Sequence, residues 1–374
     1  MNNLAIIGTA GIPANYGGFE TLVHHLAPHL TKQFNTTVYC SGKNYPIKNR
    51  LKIYKGAKLV YLPMSANGIT SIFYDISSMI HALFTNKNYL VLGVSGALFF
   101  PILRLFNKEI TVNVDGIEWK RKKWNRLAKI FLRFSERVAV KWAQKVICDN
   151  QSVLNYIEET YKVKGILIPY GGDHVLKIKQ SKEILLQFPF LKKPYAFKVA
   201  RIEPENNIHM ILEGFTKLNL QLVIIGNWQK SKYGINLKNK YSKHSNIHLL
   251  NPIYDNTILD QIRGNAMLYV HGHAAGGTNP SLIEAMNLKL PIISFDVSFN
   301  RETTKNKAIY FNNTYELVKK IRTITYAQLN DIKYQMLQIA RVHYTWKLIA
   351  KSYVQLFKET CEEEKLILTK KLDL

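Results

Sequence analysis

The stretch HGHAAGGTNPSLIEAM, residues 271–286, follows the apolar run Ala266 to Val270 and reads as a strand end, a glycine turn and a helix start. Asn279 suits the cap of that helix and Pro280 its first position, because proline wastes no amide hydrogen there and its fixed φ is already helical. The free N–H groups of the first turn then face the space above the strand, and Gly276 and Gly277 let a ligand approach the backbone. A turn of this kind docks anions and hydroxyls, and Glu284, one turn further in, can accept hydrogen bonds from a sugar diol. Taken alone, the same residues also read as a structural turn with a surface glutamate.

The alternation seen in that stretch runs through the whole chain. Strands are expected at 4–8, 37–40, 59–62, 89–94, 110–114, 146–148 and 166–168, with helices at 20–32, 69–84 and 127–142 between several of them. A polar, lysine-bearing stretch at 175–193 interrupts the pattern and reads as a hinge. A second series follows, with strands at 195–199, 221–225, 247–250, 266–270 and 291–294, and helices at 208–218, 235–243, 257–264 and 280–288. Such alternation implies parallel sheets covered by helices on both faces. The expectation is an α/β chain with two Rossmann-like domains, 1–180 and 190–345, plus a C-terminal helix at 346–374 that packs back toward the first. Ligands would sit at the carboxyl ends of the strands, in a crevice between the domains.

At 374 residues, two domains are the natural division. The composition, 47% hydrophobic and 21% charged, is globular. Cys40, Cys148 and Cys361 are scattered, without metal or redox spacing, and read as core fillers of a cytosolic protein. The N-terminus lacks the basic region of a signal peptide. The longest apolar run, 91–106, is broken by Pro101 and Arg104 and is shorter than the roughly 20 residues of a spanning helix.

The net charge of +25 is spread along the chain, with 22 basic against 10 acidic residues up to position 175. That spread suits phosphorylated ligands or an anionic membrane better than one nucleic-acid groove. Its local extreme is WKRKKWNR, 119–126, leading into a helix with Arg133, Arg137, Lys141 and Lys145. Tryptophan among cations suits an interfacial contact, and a solvated helix face is the alternative.

Three further motifs carry chemistry. GTAGIPANYGGFE, 8–20, lacks GxGxxG spacing, and TVYCSGKN offers no acidic residue after the second strand, which disfavours NAD; Gly17 and Gly18 can still hold a diphosphate at a helix start. In KVARIEPENNIHMILEGF, 198–215, Arg201 ends a strand and could neutralise a phosphate, or be a surface arginine. Asp115 in VNVDG either orients a hydroxyl or caps its turn. His271 and His273 have no third partner at metal spacing, so no metal site is expected.

Together, GIPANYGGFETLV, VNVDGIEWKRKKW, ARIEPENNIHMILE and HGHAAGGTNPSLIEAM resemble the family 4 retaining glycosyltransferases of the GT-B fold, within them a bacterial subgroup of polysaccharide rhamnosyltransferases. The resemblance spans about residue 4 to residue 350. It implies a nucleotide-sugar donor, dTDP-L-rhamnose, held by the second domain and a polyprenyl-diphosphate-linked sugar acceptor held by the first, at an anionic membrane surface on the cytoplasmic side, with no metal cofactor. It further implies that Arg201 and Asn206 meet the diphosphate, Glu284 the ribose, Gly277, Thr278, Asn279, Pro280 and Ser281 the sugar or phosphate, and Ile253 and Tyr254 the base. Gly17 and Gly18 would also face the donor; Tyr16, Glu20, Asp115 and Glu118 would face the acceptor; Asp115, Arg201 and Glu284 would carry catalysis. Transfer in this family uses no enzymic nucleophile: the leaving diphosphate helps deprotonate the acceptor on the same face of the sugar.

Two departures stand out. The broader family has a glutamate where this chain has Gly276, and a lysine where it reads Glu205, Asn206, Asn207. One sugar-binding carboxylate and one phosphate cation are therefore missing, and a less polar sugar pocket suits a 6-deoxysugar. A transferase for another sugar, a GT-B epimerase and a non-catalytic basic binding protein are the rival readings. No aromatic strand face for stacking bases is evident, so nucleic acid is not an expected partner.

Overall fold

The computed structural model describes residues 2–14, 17–121 and 124–372, with side chains described as far as Glu359. The chain divides into two compact units, 1–169 with 346–374, and 170–345. In the first unit the order is β1 (Asn3–Ile7), α1 (Gly18–Leu30), β2 (Asn35–Ser41), β3 (Ile53–Tyr54), β4 (Ala57–Leu62), α2 (Thr70–Ala82), β5 (Asn88–Leu92), α3 (Phe100–Leu105), β6 (Glu109–Asn113), α4 (Arg126–Trp142), β7 (Lys145–Cys148), α5 (Gln151–Tyr161) and β8 (Ile166–Leu167). These strands form one sheet in the order β3-β4-β2-β1-β5-β6-β7-β8, parallel except where β3 pairs with β4. β1 and β5 read as unbroken apolar runs because both faces of a parallel sheet are covered.

Crossovers that step toward β8 lie on one side of the sheet, since parallel connections are right-handed. So α2, α3, α4 and α5 share a face, and Met79, Phe100, Ala139 and Ile157 from them meet in one core. Their outer sides are unusual. Ile69, Phe73, Ile80 and Phe84 form an exposed stripe along α2; Leu98, Ile102, Leu105 and Phe106 do so at α3, and Leu127, Ile130 and Phe134 on α4.

The second unit runs α6 (Lys182–Gln187), β9 (Tyr195–Val199), α7 (Ile208–Phe215), β10 (Gln221–Ile225), α8 (Lys232–Tyr241), β11 (Ile247–Leu250), α9 (Asn256–Arg263), β12 (Leu268–His271), α10 (Pro280–Asn287), β13 (Ile292–Phe295), α11 (Ser298–Thr303), β14 (Ile309–Phe311), α12 (Thr314–Thr323) and α13 (Tyr326–His343). Its sheet is parallel, in the order β11-β10-β9-β12-β13-β14. The last helix, α14 (Trp346–Leu372), belongs to the first unit. There Trp346 stacks on His25 of α1 at 4.5 Å, Phe357 meets Phe34 edge-on, and Lys145 donates to the carbonyl of Leu356.

The stretch 175–193, read as a hinge, is part of the second unit. The N–H of Leu176 donates to Asp260 and that of Ser181 to Gln261, while Asn265 donates to the carbonyl of Ile178. Polar side chains of α9 and the turn after it thus satisfy a segment whose own sequence offers little to bury. The short strands β3 and β14 and the helices α3, α5, α6 and α11 are among the additions to the elements expected from sequence.

Asp75 of α2 is 2% exposed, and its carboxylate accepts from Ser95 at 2.9 Å. Burial pushes its pKa from 3.8 to about 7, against the bonds from Ser95 and the Gly96 amide. A raised acid penalises the fold as pH rises from about 4 to about 7. Asp75→Asn is therefore expected to leave stability unchanged near pH 4 and to raise it by up to about 4 kcal/mol above pH 7. Urea unfolding across that pH range checks this, and a constant offset between the two proteins would contradict it.

Candidate functional site

In the second unit the strand order reverses between β9 and β12: the chain steps outward through β10 and β11, then returns beside β9. Ligands of open parallel sheets bind at the carboxyl ends of strands beside such a reversal. The loops that leave β9 and β12 there carry Arg201 to Asn207 and Gly272 to Asn279.

These two loops are tied together. Asn206 donates to the carbonyl of Arg201 at 2.8 Å, and its Oδ1 meets Nδ1 of His273 at 2.9 Å. Asn207 donates to the carbonyl of Gly272, and the N–H of Ala274 to the carbonyl of Glu205. The guanidinium of Arg201, half-buried, has no hydrogen-bond or ion-pair partner among the described residues.

Asn279 caps α10, its Oδ1 accepting from the N–H of Ser281 at 3.1 Å, and Pro280 is the first helical residue. The Ser281 hydroxyl also donates to Asn279 and meets the Tyr269 hydroxyl at 2.8 Å. Among the described residues the N–H groups of Gly276, Gly277 and Asn279 donate to no carbonyl or side chain. Three such amides beside a helix start form a cradle for negative charge. Gly276 adopts φ +118°, a conformation open to glycine and strained for any residue with a Cβ. The backbone therefore explains why the broader family's glutamate cannot simply stand here.

Glu284 is not the free carboxylate the sequence suggested. Arg263 donates to its Oε2 at 2.7 Å, and Nε2 of His174 lies 3.3 Å from Oε1. Arg263 also donates to Asp260 at 2.7 Å. Burial pushes the Glu284 carboxyl up, but the Arg263 charge and the His174 bond outweigh it and hold the group below the ordinary carboxylate range. The side chain stays 15% exposed, so an ionised, oriented carboxylate with spare lone pairs reaches the surface. Arg263, Asp260 and His174 were not singled out by sequence; the visible signal was a charged i, i+3 pair on the helix 257–264. Ile253 is half-buried and Tyr254 exposed in the loop that leaves β11, on the same edge of the sheet.

The first unit shows the same reversal between β1 and β5. Glu20 accepts from the N–H of Ala10 at 2.6 Å and from the Thr9 hydroxyl at 3.2 Å, and burial raises its pKa. A Cβ on Gly17, at φ +129°, would lie 1.8 Å from the Glu20 carboxylate. Gly17 and the start of α1 at Gly18 thus house the chain's own carboxylate, where an incoming diphosphate was expected. Glu118 is likewise engaged, by Arg121 at 2.6 Å and by the Trp124 indole at 3.0 Å. Asp115 sits at φ +59° with its N–H donating to Asn113, which donates in turn to the Tyr353 hydroxyl of α14. Its carboxylate is one-third exposed, 3.9 Å from Arg121. Tyr16 lies outside the described residues.

Comparison with known proteins follows this division. Residues 1–173 match the family model described as Domain of unknown function (DUF1972), and residues 182–335 the model described as Glycosyl transferases group 1. No curated protein matches the sequence. Sucrose-phosphate synthase from Thermosynechococcus elongatus superposes with a TM-score of 0.82 at 15% identity, covering 97% of this chain and 100% of that one. HepE from Anabaena, solved with UDP and glucose, gives 0.74 at 11% identity over 96% of this chain and 100% of its own. Trehalose 6-phosphate synthase from Burkholderia multivorans gives 0.74 at 9% identity over 98% of each chain. Fold and matched domain support a glycosyltransferase of the GT-B fold. More particularly, the part similar to glycosyl transferases group 1, residues 182–335, lies within the second unit.

Removing Arg263 would leave two carboxylates, Glu284 and Asp260, without their shared cation at a mostly buried site. Arg263→Met is expected to destabilise the second unit by about 3–5 kcal/mol, against about 1 kcal/mol or less for His174→Ala. Chemical denaturation of the two variants would decide, and equal effects would remove Arg263 as the strut of the site.

Proposed function

We propose that the protein transfers L-rhamnose from dTDP-L-rhamnose, with retention, onto a lipid-linked saccharide in bacterial surface-polysaccharide synthesis. The observation that carries the donor half of this reading is the carboxyl edge of the second sheet. There, among the described residues, an arginine side chain without a partner and three amides that donate to no protein group lie on the loops beside one strand reversal, with an ionised glutamate on the helix that follows. Such an edge suits a nucleotide diphosphate, and UDP and glucose occupy the HepE structure of the same fold.

In the proposed reaction the bond from the anomeric carbon to the diphosphate oxygen breaks and the acceptor oxygen bonds to that carbon. The acceptor proton passes to the departing diphosphate on the same face. No enzymic nucleophile and no metal is required. Arg201 and the amides of Gly276, Gly277 and Asn279 stabilise charge on the leaving group, and being fixed beforehand they cost no reorganisation. Glu284 accepts from the ribose diol, Asn206 and Thr278 line the diphosphate and sugar, and Ile253 and Tyr254 flank the base. Asp115 orients the acceptor hydroxyl. The acceptor, a polyprenyl-diphosphate-linked sugar, would be met at the inner face of the cytoplasmic membrane; among the described residues no helix is long and apolar enough to cross one.

A panel of nucleotide sugars tested for thermal stabilisation examines the reading directly. A true donor at 100 times its dissociation constant adds about 2.7 kcal/mol, and Arg201→Ala should abolish the shift. If thymidine and uridine sugars all leave the melting temperature unchanged, the reading fails. Gly276→Glu is expected to lower stability and not to improve transfer from the native donor, because φ +118° strains a side chain there. Faster transfer by that variant would sink the argument that glycine is required.

A further inference from the structure

The outer face of α2, α3 and α4 leaves large apolar side chains uncovered on three adjacent helices, among them Phe73, Phe84, Ile102, Leu105, Ile130 and Phe134. Isolated exposed apolar residues are ordinary; stripes repeated across neighbouring helices of one layer mark a surface that meets something apolar. The charges on the same helices narrow what that is. Their two carboxylates, Asp75 and Glu136, are buried at 2% and 3% exposure, and the Tyr156 and Tyr161 hydroxyls both donate to Glu136. The cations, by contrast, stay outside: Arg126, Lys129, Arg137 and Lys141 of α4 have no ion-pair partner among the described residues. Beside the start of α4, Trp119, Arg126, Lys129, Ile130 and Arg133 line an open cavity of about 370 Å³. The Trp119 ring there lies against two cations, Arg133 at 5.2 Å and Lys120 at 5.5 Å.

We infer that this three-helix face docks on a bilayer of anionic phospholipid, its apolar stripes entering the headgroup boundary and the cavity at Trp119 taking a lipid phosphate. Exposed apolar rows flanked by unpaired cations and a tryptophan are complementary to such a surface at two levels. The apolar side chains gain by leaving water, and each cation gains by meeting the negative potential of the leaflet. A second copy of this chain would bring the same cations against themselves, at a repulsive cost. A soluble acidic protein would satisfy the cations and not the apolar rows. The inference deepens the reading of a lipid-linked acceptor by assigning the face that meets the membrane, and it stands on the first unit alone.

The test is co-sedimentation of the full chain with vesicles of pure phosphatidylcholine and of phosphatidylcholine with one-third phosphatidylglycerol. Binding is expected to the anionic vesicles, weakening steeply with added salt, and to be slight to the neutral ones. Each cation removed should cost roughly fivefold in affinity, so Lys129→Ala with Arg133→Ala should cost roughly 25-fold. Ile130→Ser with Phe134→Ser should weaken binding at both low and high salt. Stabilisation by nucleotide sugar, measured in the same variants, reports on the second unit and should not change. A wild-type protein that ignores anionic vesicles, variants that bind them as wild type does, or a dimer in solution that the Ile130 and Phe134 changes dissolve would each overturn the inference. Loss of vesicle binding with donor stabilisation intact leaves the transferase reading untouched, and the reverse pattern separates the two in the other direction.

Discussion

Two loops that leave neighbouring strands, one after β9 and one after β12, are pinned to each other before any ligand arrives. Asn206 to His273, Asn207 to the Gly272 carbonyl, and the Ala274 amide to the Glu205 carbonyl make three residues of each loop part of one body. The candidate donor site depends on this fastening. A parallel sheet alone delivers the loops to the same edge, but leaves their amides free to turn toward water or toward each other. With the loops fixed, the amides of Gly276, Gly277 and Asn279 are held in place, so their dipoles need not be ordered when charge develops.

The Arg263 network extends the same principle to side chains. A lone glutamate on α10 would be free to rotate or to take a proton in a half-buried place. Asp260 fixes Arg263, Arg263 fixes one oxygen of Glu284, and His174 approaches the other. Asp260 also accepts from the Leu176 amide, which ties the chain entering the second unit to the same group of charges. One buried arginine thus links the orientation of a surface carboxylate to the path of the segment 175–193.

Local chemistry explains what could be read from sequence. Asn279 and Pro280 announce a helix start because cap and first-turn preferences act between adjacent residues, and the alternation of apolar runs announces parallel strands because both faces of such a sheet are buried. The Gly276 departure was visible too, but its cause is a backbone angle set by the whole turn. The partners of Glu284 were hidden because Arg263 and His174 come from other elements, and no spacing within α10 encodes them. The partners of Glu20 were hidden for a related reason: its carboxylate folds back onto Ala10 and Thr9, which lie on the loop before its helix. The stretch 175–193 looked like a hinge because its own composition is polar, although the groups that bind it lie about 80 residues further on.

The excess of positive charge is disposed differently in the two units. On α4 four cations have no ion-pair partner among the described residues, while the nearby carboxylate of Glu136 is taken inside by two tyrosines, so the outward field is left uncancelled by it. In the second unit two basic groups of the sheet lie inside. Lys198 of β9 is 1% exposed, and burial brings its pKa down to about 7. His271 at the end of β12 is as deeply buried, and burial with the neighbouring Lys198 holds it well below the ordinary value. Burial disfavours the charged form of both groups, close to the edge where Arg201 and the amides of the β12 loop are placed. Burying basic groups without partners is costly. The cost falls when an anion comes to that edge, because the same anion that Arg201 attracts also favours the charged forms of Lys198 and His271. The placement of these residues inside the sheet is therefore coherent with the nucleotide diphosphate proposed above.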